Sequence, residues 1–123
     1  MIASSTHTVV AILASGILVG IGASFSGLGG GFLMVPILLY LGFSAPKAVG
    51  TSFLGILIIS LSALLAHNKM AHVDYKYGIL LGLGGVLGAQ IGARLIDHVS
   101  PIAFKRIFAA ILVGLAIYLL VRK

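Results

Sequence analysis

The sequence predicts an all-α, polytopic membrane protein with four to five membrane segments and a glycine-broken, re-entrant or discontinuous helix near residues 26–31. Three observations predict it. Of the 123 residues, 60% are hydrophobic and only 8% are charged, against about 25% charged in a soluble domain. Apolar stretches recur along the whole chain, separated by short turns, and the mean hydropathy is +1.24. The third observation is Gly27-Leu28-Gly29-Gly30-Gly31, four glycines in five positions, set between two apolar stretches. Glycine costs about 1 kcal/mol against alanine in a helix interior, so this cluster breaks a helix at membrane depth. Such a break is tolerated only where it is buried in protein or lines a polar cavity.

Five apolar segments follow in order: Thr8 to Phe25, Gly31 to Phe43, Ala48 to Ala66, Tyr77 to Leu95 and Ile102 to Val121. A span needs about 20 residues at 1.5 Å each. The last three segments qualify and the first is marginal. The second is too short for an ordinary crossing, so the first two are either two spans or one span with a re-entrant arm. No Lys or Arg precedes the apolar stretch Val9 to Val19. A signal peptide needs a positive n-region, so the first segment is expected to be a retained membrane helix. Pro36 falls near the start of the second segment, where a proline is cheaper than in a helix interior. Ser44 with Pro46, and Ser100 with Pro101, read as N-cap and first-turn pairs. The polar run His67 to Asp74 reads as a loop. The fourth segment carries Gly84, Gly88 and Gly92 at four-residue spacing, a pattern that lets membrane helices approach closely. Packing inside the bundle is the expected use, and a subunit contact is the other. The whole of 1–123 reads as one transmembrane domain, and there is no true internal repeat.

Eight Lys and Arg stand against only Asp74 and Asp97, giving a formal charge of +6. The basic residues sit at segment ends, which suits lipid headgroups or an anionic solute rather than nucleic acid. Orientation follows the Lys/Arg balance of short loops. Lys69, Lys76, Arg122 and Lys123 fall on one side, and Lys47, Arg94, Lys105 and Arg106 on the other. This balance selects no orientation. It suits a homodimer of opposed protomers, equivalent to an inverted repeat, provided each chain crosses an odd number of times.

Several residues can carry chemistry. Gly29, Gly30 and Gly31 free backbone N–H groups at a helix start, whose partial positive charge suits an anion without any basic side chain. Thr51 and Ser52 lie early in the third segment and offer hydroxyl donors, although such hydroxyls often bond their own helix. Gln90 is the one amide deep in a span. His67 closes the third segment, where it can gate, handle a proton or cap a helix end. His67 and His72, with no cysteine and no acid pair nearby, do not form a metal site. No carboxylate lies inside a span, which disfavours a proton-storing pump and a cation exporter. There is no GxxxxGK loop and no nucleophile–base pair, so no enzyme and no cofactor is expected.

Four ordered stretches carry a resemblance. They are Gly29-Gly30-Gly31 leading to Val35-Pro36, Ala48-Val49-Gly50-Thr51-Ser52, His67 followed by Val73-Asp74, and Gly88-Ala89-Gln90-Ile91-Gly92-Ala93. Over roughly residues 16–120 the chain resembles one repeat of the TauE/SafE family of sulfite and organosulfonate exporters. It departs from that family's usual pattern by having a single repeat, and by His72 where glycine is common. The resemblance implies transport of small sulfur-containing anions (sulfite, thiosulfate or organosulfonates) across a bacterial inner membrane by a homodimer of half-transporter repeats. The alternative is a non-transporting membrane subunit or scaffold that packs a partner through its glycine faces.

Overall fold

The computed structural model describes residues 5–122, which form five α-helices and one 3-10 turn with no strand. Helix α1 spans Thr6–Ser26, α2 Gly31–Tyr40, α3 Ala45–Lys69, α4 Tyr75–Leu95 and α5 Pro101–Val121, with the 3-10 turn at Ile96–His98 after α4. Four helices are long and apolar enough to cross a membrane, the fourth being α4 together with its 3-10 turn, while α2 is a shorter apolar helix. The chain is an integral membrane protein.

Helix starts follow the sequence signals. The Ser5 side chain accepts from the Thr8 amide, Asp74 from Tyr77 and Ser100 from Ala103, each satisfying one of the orphan donors of a first turn. Ser44 occupies the N-cap of α3 with Pro46 in the first turn, but its hydroxyl makes no capping bond. Two readings need correction. The run from His67 is not loop at once, because α3 continues through Lys69. The turn that follows includes Ala71 at φ 58°, and the Tyr75 hydroxyl donates to Asn68 Oδ1 across it. Pro36 lies in the interior of α2 rather than its first turn, yet the ten-residue helix persists. A helix this short has few internal bonds for a proline to remove.

The direction of the helices follows from what they share. Thr8 and Ile12 near the start of α1, Leu41 just after α2, and Lys47 at the start of α3 line one cavity. At the opposite end, Ser24 of α1 meets His67 of α3. Helices α1 and α3 therefore run the same way, and α2 returns antiparallel between them. Ten residues of α2 reach about 15 Å, half a hydrocarbon core, so α2 folds back along α1 as the shorter arm of a helical hairpin.

The small core belongs to these three helices: Val19, Ala23, Val35, Ala45 and Ala48 are buried, together with Ser52. Neither α4 nor α5 has a buried residue.

Candidate functional site

The α1–α2 break is built from three left-handed glycines. Gly27, Gly29 and Gly30 have φ of 75°, 76° and 84°, a region costing an L-residue about 1–2 kcal/mol. Gly27 ends α1, its amide donating to the Ala23 carbonyl at 2.8 Å. Ser26 clamps the turn: its hydroxyl donates to the Gly22 carbonyl at 2.6 Å and accepts from the Leu28 amide at 3.3 Å. Gly30 then caps α2 without a side-chain bond, and its carbonyl accepts from the amides of Leu33 and Met34. No acceptor is found among the described residues for the amides of Gly30, Gly31 and Phe32. These are the orphan donors of a helix N-terminus.

Packing holds the break against α1 and α3. Cβ positions built on Gly29 and Gly31 would lie 3.5 and 3.1 Å from the Ile56 side chain, near the midpoint of the 25-residue α3. A Cβ on Gly30 would lie 2.9 Å from Val19 Cγ1 and 3.3 Å from Ala23 Cβ. Glycine is thus demanded there twice, by conformation and by space.

Thr51 and Ser52 have different fates. The Ser52 hydroxyl donates to the Val49 carbonyl at 2.7 Å and the residue is buried, so it is engaged with its own helix. Thr51 lines an open, largely apolar cavity of about 1220 Å³ bounded by α1, α2 and α3. The inner end of that cavity includes Val19, Met34 and Gly55. Val19 and Met34 also cover Gly30, so these two side chains stand between the cavity and the glycine break.

His67 does more than close α3. Its Nε2 lies 3.1 Å from the Ser24 carbonyl oxygen and 3.3 Å from the Ser24 hydroxyl. A carbonyl only accepts, so Nε2–H donates to it. Its Nδ1 lies 3.3 Å from Nδ1 of His72. Ser24 does not stand out in the sequence as a partner of His67, because nothing local links positions 43 residues apart.

Gln90 is exposed on α4 and lines neither the Thr51 cavity nor the one beside His67. Gly84, Gly88 and Gly92 have nothing within 4 Å of a built Cβ, so among the described residues no helix packs against that stripe. No group of three metal-ligating side chains occurs among the described residues.

Comparison with known proteins agrees with this architecture. The family model described as Sulfite exporter TauE/SafE matches residues 12–123. The chain is 31% identical over 121 residues to the probable membrane transporter protein YunE of Bacillus subtilis, covering 92% of this chain and 44% of that protein. It is 32% identical over 111 residues to a probable membrane transporter protein of Methanocaldococcus jannaschii, covering 85% and 42%. A probable membrane transporter protein of Haemophilus influenzae is 33% identical over 113 residues, covering 89% and 42%. No solved structure matches. The chain spans less than half the length of these relatives. With a match over nearly its whole length, the chain belongs to the TauE/SafE sulfite exporter family of membrane transporters.

Proposed function

We propose that this chain is a half-transporter repeat that carries small sulfur-containing anions across a bacterial inner membrane as a homodimer. One observation carries the reading: the glycine break seats the free amides of Gly30, Gly31 and Phe32 against the middle of α3. Such amides at a helix N-terminus favour an oxyanion without a buried basic side chain. Thr51 of α3 supplies a hydroxyl not engaged in any bond among the described residues, on the cavity side of Val19 and Met34. Ser52 has a supporting role within α3, Gln90 faces outward where a second copy can meet it, and His67 holds the end of α1 in place as the hairpin moves. The chemistry is transport, not catalysis.

The second copy is supported by the uncovered α4 and α5 and by the open Gly84/Gly88/Gly92 stripe. In this reading α1 and α2 return to one side and α3, α4 and α5 change sides, an odd number. That is the condition for opposed protomers to form an inverted pair. The same uncovered faces favour a second reading, a scaffold subunit that packs a different membrane protein.

Flux of sulfite, thiosulfate and a small sulfonate into proteoliposomes holding only this polypeptide tests the proposal. Flux without another protein supports transport. Well-folded protein that moves none of them, and that co-purifies with a second polypeptide from the membrane, supports the scaffold.

A further inference from the structure

The cavity containing Thr51 has a charged mouth. Lys47 and Thr51 lie four residues apart on α3, on one helix face with about 6 Å between Cβ atoms, and both line the cavity. The Lys47 ammonium sits 5.4 Å from the centre of the Phe43 ring, a cation–π contact that keeps it at the cavity wall. Ser44, which also lines the mouth, has a hydroxyl free of the capping bond its position usually makes. No carboxylate lines this cavity. Asp74, one of the chain's two acidic residues, caps α4 instead. The polar groups at this end thus include one cation, Lys47, and the hydroxyls of Thr51 and Ser44, with Tyr40 and Thr8 beside them, set in apolar walls that weaken screening.

We propose that Lys47, Thr51 and Ser44 form an anion-attracting vestibule, in which a small oxyanion is first held before it passes Val19 and Met34 to the glycine break. This deepens the anion-transport reading and rests on it for the passage, but not for the charge preference. Lys47 sets the preference, and Thr51 and Ser44 donate to the oxygens. An anionic lipid headgroup offers Lys47 the same chemistry, so the test separates the two sources.

The chain contains no cysteine, so Thr51→Cys introduces a unique thiol. Its reaction rate with an anionic and with a cationic methanethiosulfonate reagent is measured in phosphatidylcholine vesicles. Each rate is normalised to that of a free thiol in solution. The vestibule predicts faster anionic labelling. Adding Lys47→Gln lowers the anionic-to-cationic ratio by about tenfold, Lys47→Glu inverts it, and Lys47→Arg preserves it. The ratio persists when phosphatidylglycerol is included. A ratio unaffected by Lys47→Gln overturns the proposal, as does absence of labelling by either reagent. An effect that vanishes with phosphatidylglycerol assigns Lys47 to the headgroup and also overturns it. Because labelling needs no transport, a charge preference in protein that carries no anion leaves the vestibule standing and removes the transport reading. In flux assays Lys47→Gln raises KM several-fold more than it lowers the maximal rate.

Discussion

His67 Nε2 donates to the carbonyl oxygen of Ser24 at 3.1 Å, tying the last turn of α3 to the last turn of α1. In a continued helix that carbonyl would accept from the Leu28 amide, but Leu28 donates to Ser26 Oγ instead. His67 therefore supplies a donor to one of the orphan carbonyls of a helix end, and does so from a different helix. The contact adds to the Gly27 and Ser26 geometry that ends α1.

His67→Ala leaves the Ser24 carbonyl without that donor. We expect a loss of about 1 kcal/mol, read as a lower unfolding midpoint in detergent and faster amide exchange over residues 22–30. His72→Ala, which removes only an exposed partner, shifts neither by as much.

Gly30→Ala forces an L-residue to φ 84° and places a methyl 2.9 Å from Val19 Cγ1. The conformational part alone costs about 1–2 kcal/mol. Val19→Ala in the same protein relieves the contact and not the backbone, so thermal stability recovers only partly. Gly30→Leu is expected to abolish anion flux while membrane insertion, assayed by fractionation, stays intact.

Thr51 and Ser52 separate site from scaffold. Thr51→Ala is expected to raise the KM for anion flux several-fold, with Thr51→Ser restoring it. Ser52→Ala removes a bond to a carbonyl of its own helix, so flux constants stay near wild type and stability changes by less than about 1 kcal/mol.

Gly84→Leu, Gly88→Leu and Gly92→Leu meet open space within the chain. We expect each to leave the helical content unchanged and to weaken self-association in bilayers, measured by single-molecule photobleaching. Undiminished dimers in all three variants would place the subunit contact on another face.

Met34 Sδ would lie 2.7 Å from a Cβ on Gly55. Gly55→Ala therefore displaces Met34 from its place between the cavity and Gly30. The expected readout is a change in the maximal flux rate with little change in KM, since the vestibule residues are untouched.

The sequence by itself determined the class of the protein and the positions of its elements. Long apolar runs that start at Ser44-Ala45-Pro46 and Ser100-Pro101 read as membrane helices with defined starts, because hydropathy and N-cap position are local properties. The break at Gly27–Gly31 was legible for the same reason: glycine's backbone freedom shows in the residue type itself. Tertiary structure alone decided that α2 folds back antiparallel between α1 and α3, since a ten-residue apolar helix is compatible with several placements until its neighbours are known. It also decided that Ser52 turns to Val49 while its neighbour Thr51 opens to a cavity shared with Lys47. Successive helix residues point about 100° apart, and only the packing of α1 and α2 on α3 determines which of those directions is covered. His67 could be read as a helix-end histidine but not as the partner of Ser24. That contact exists because parallel packing of α1 and α3 brings distant residues together, and no local pattern records it.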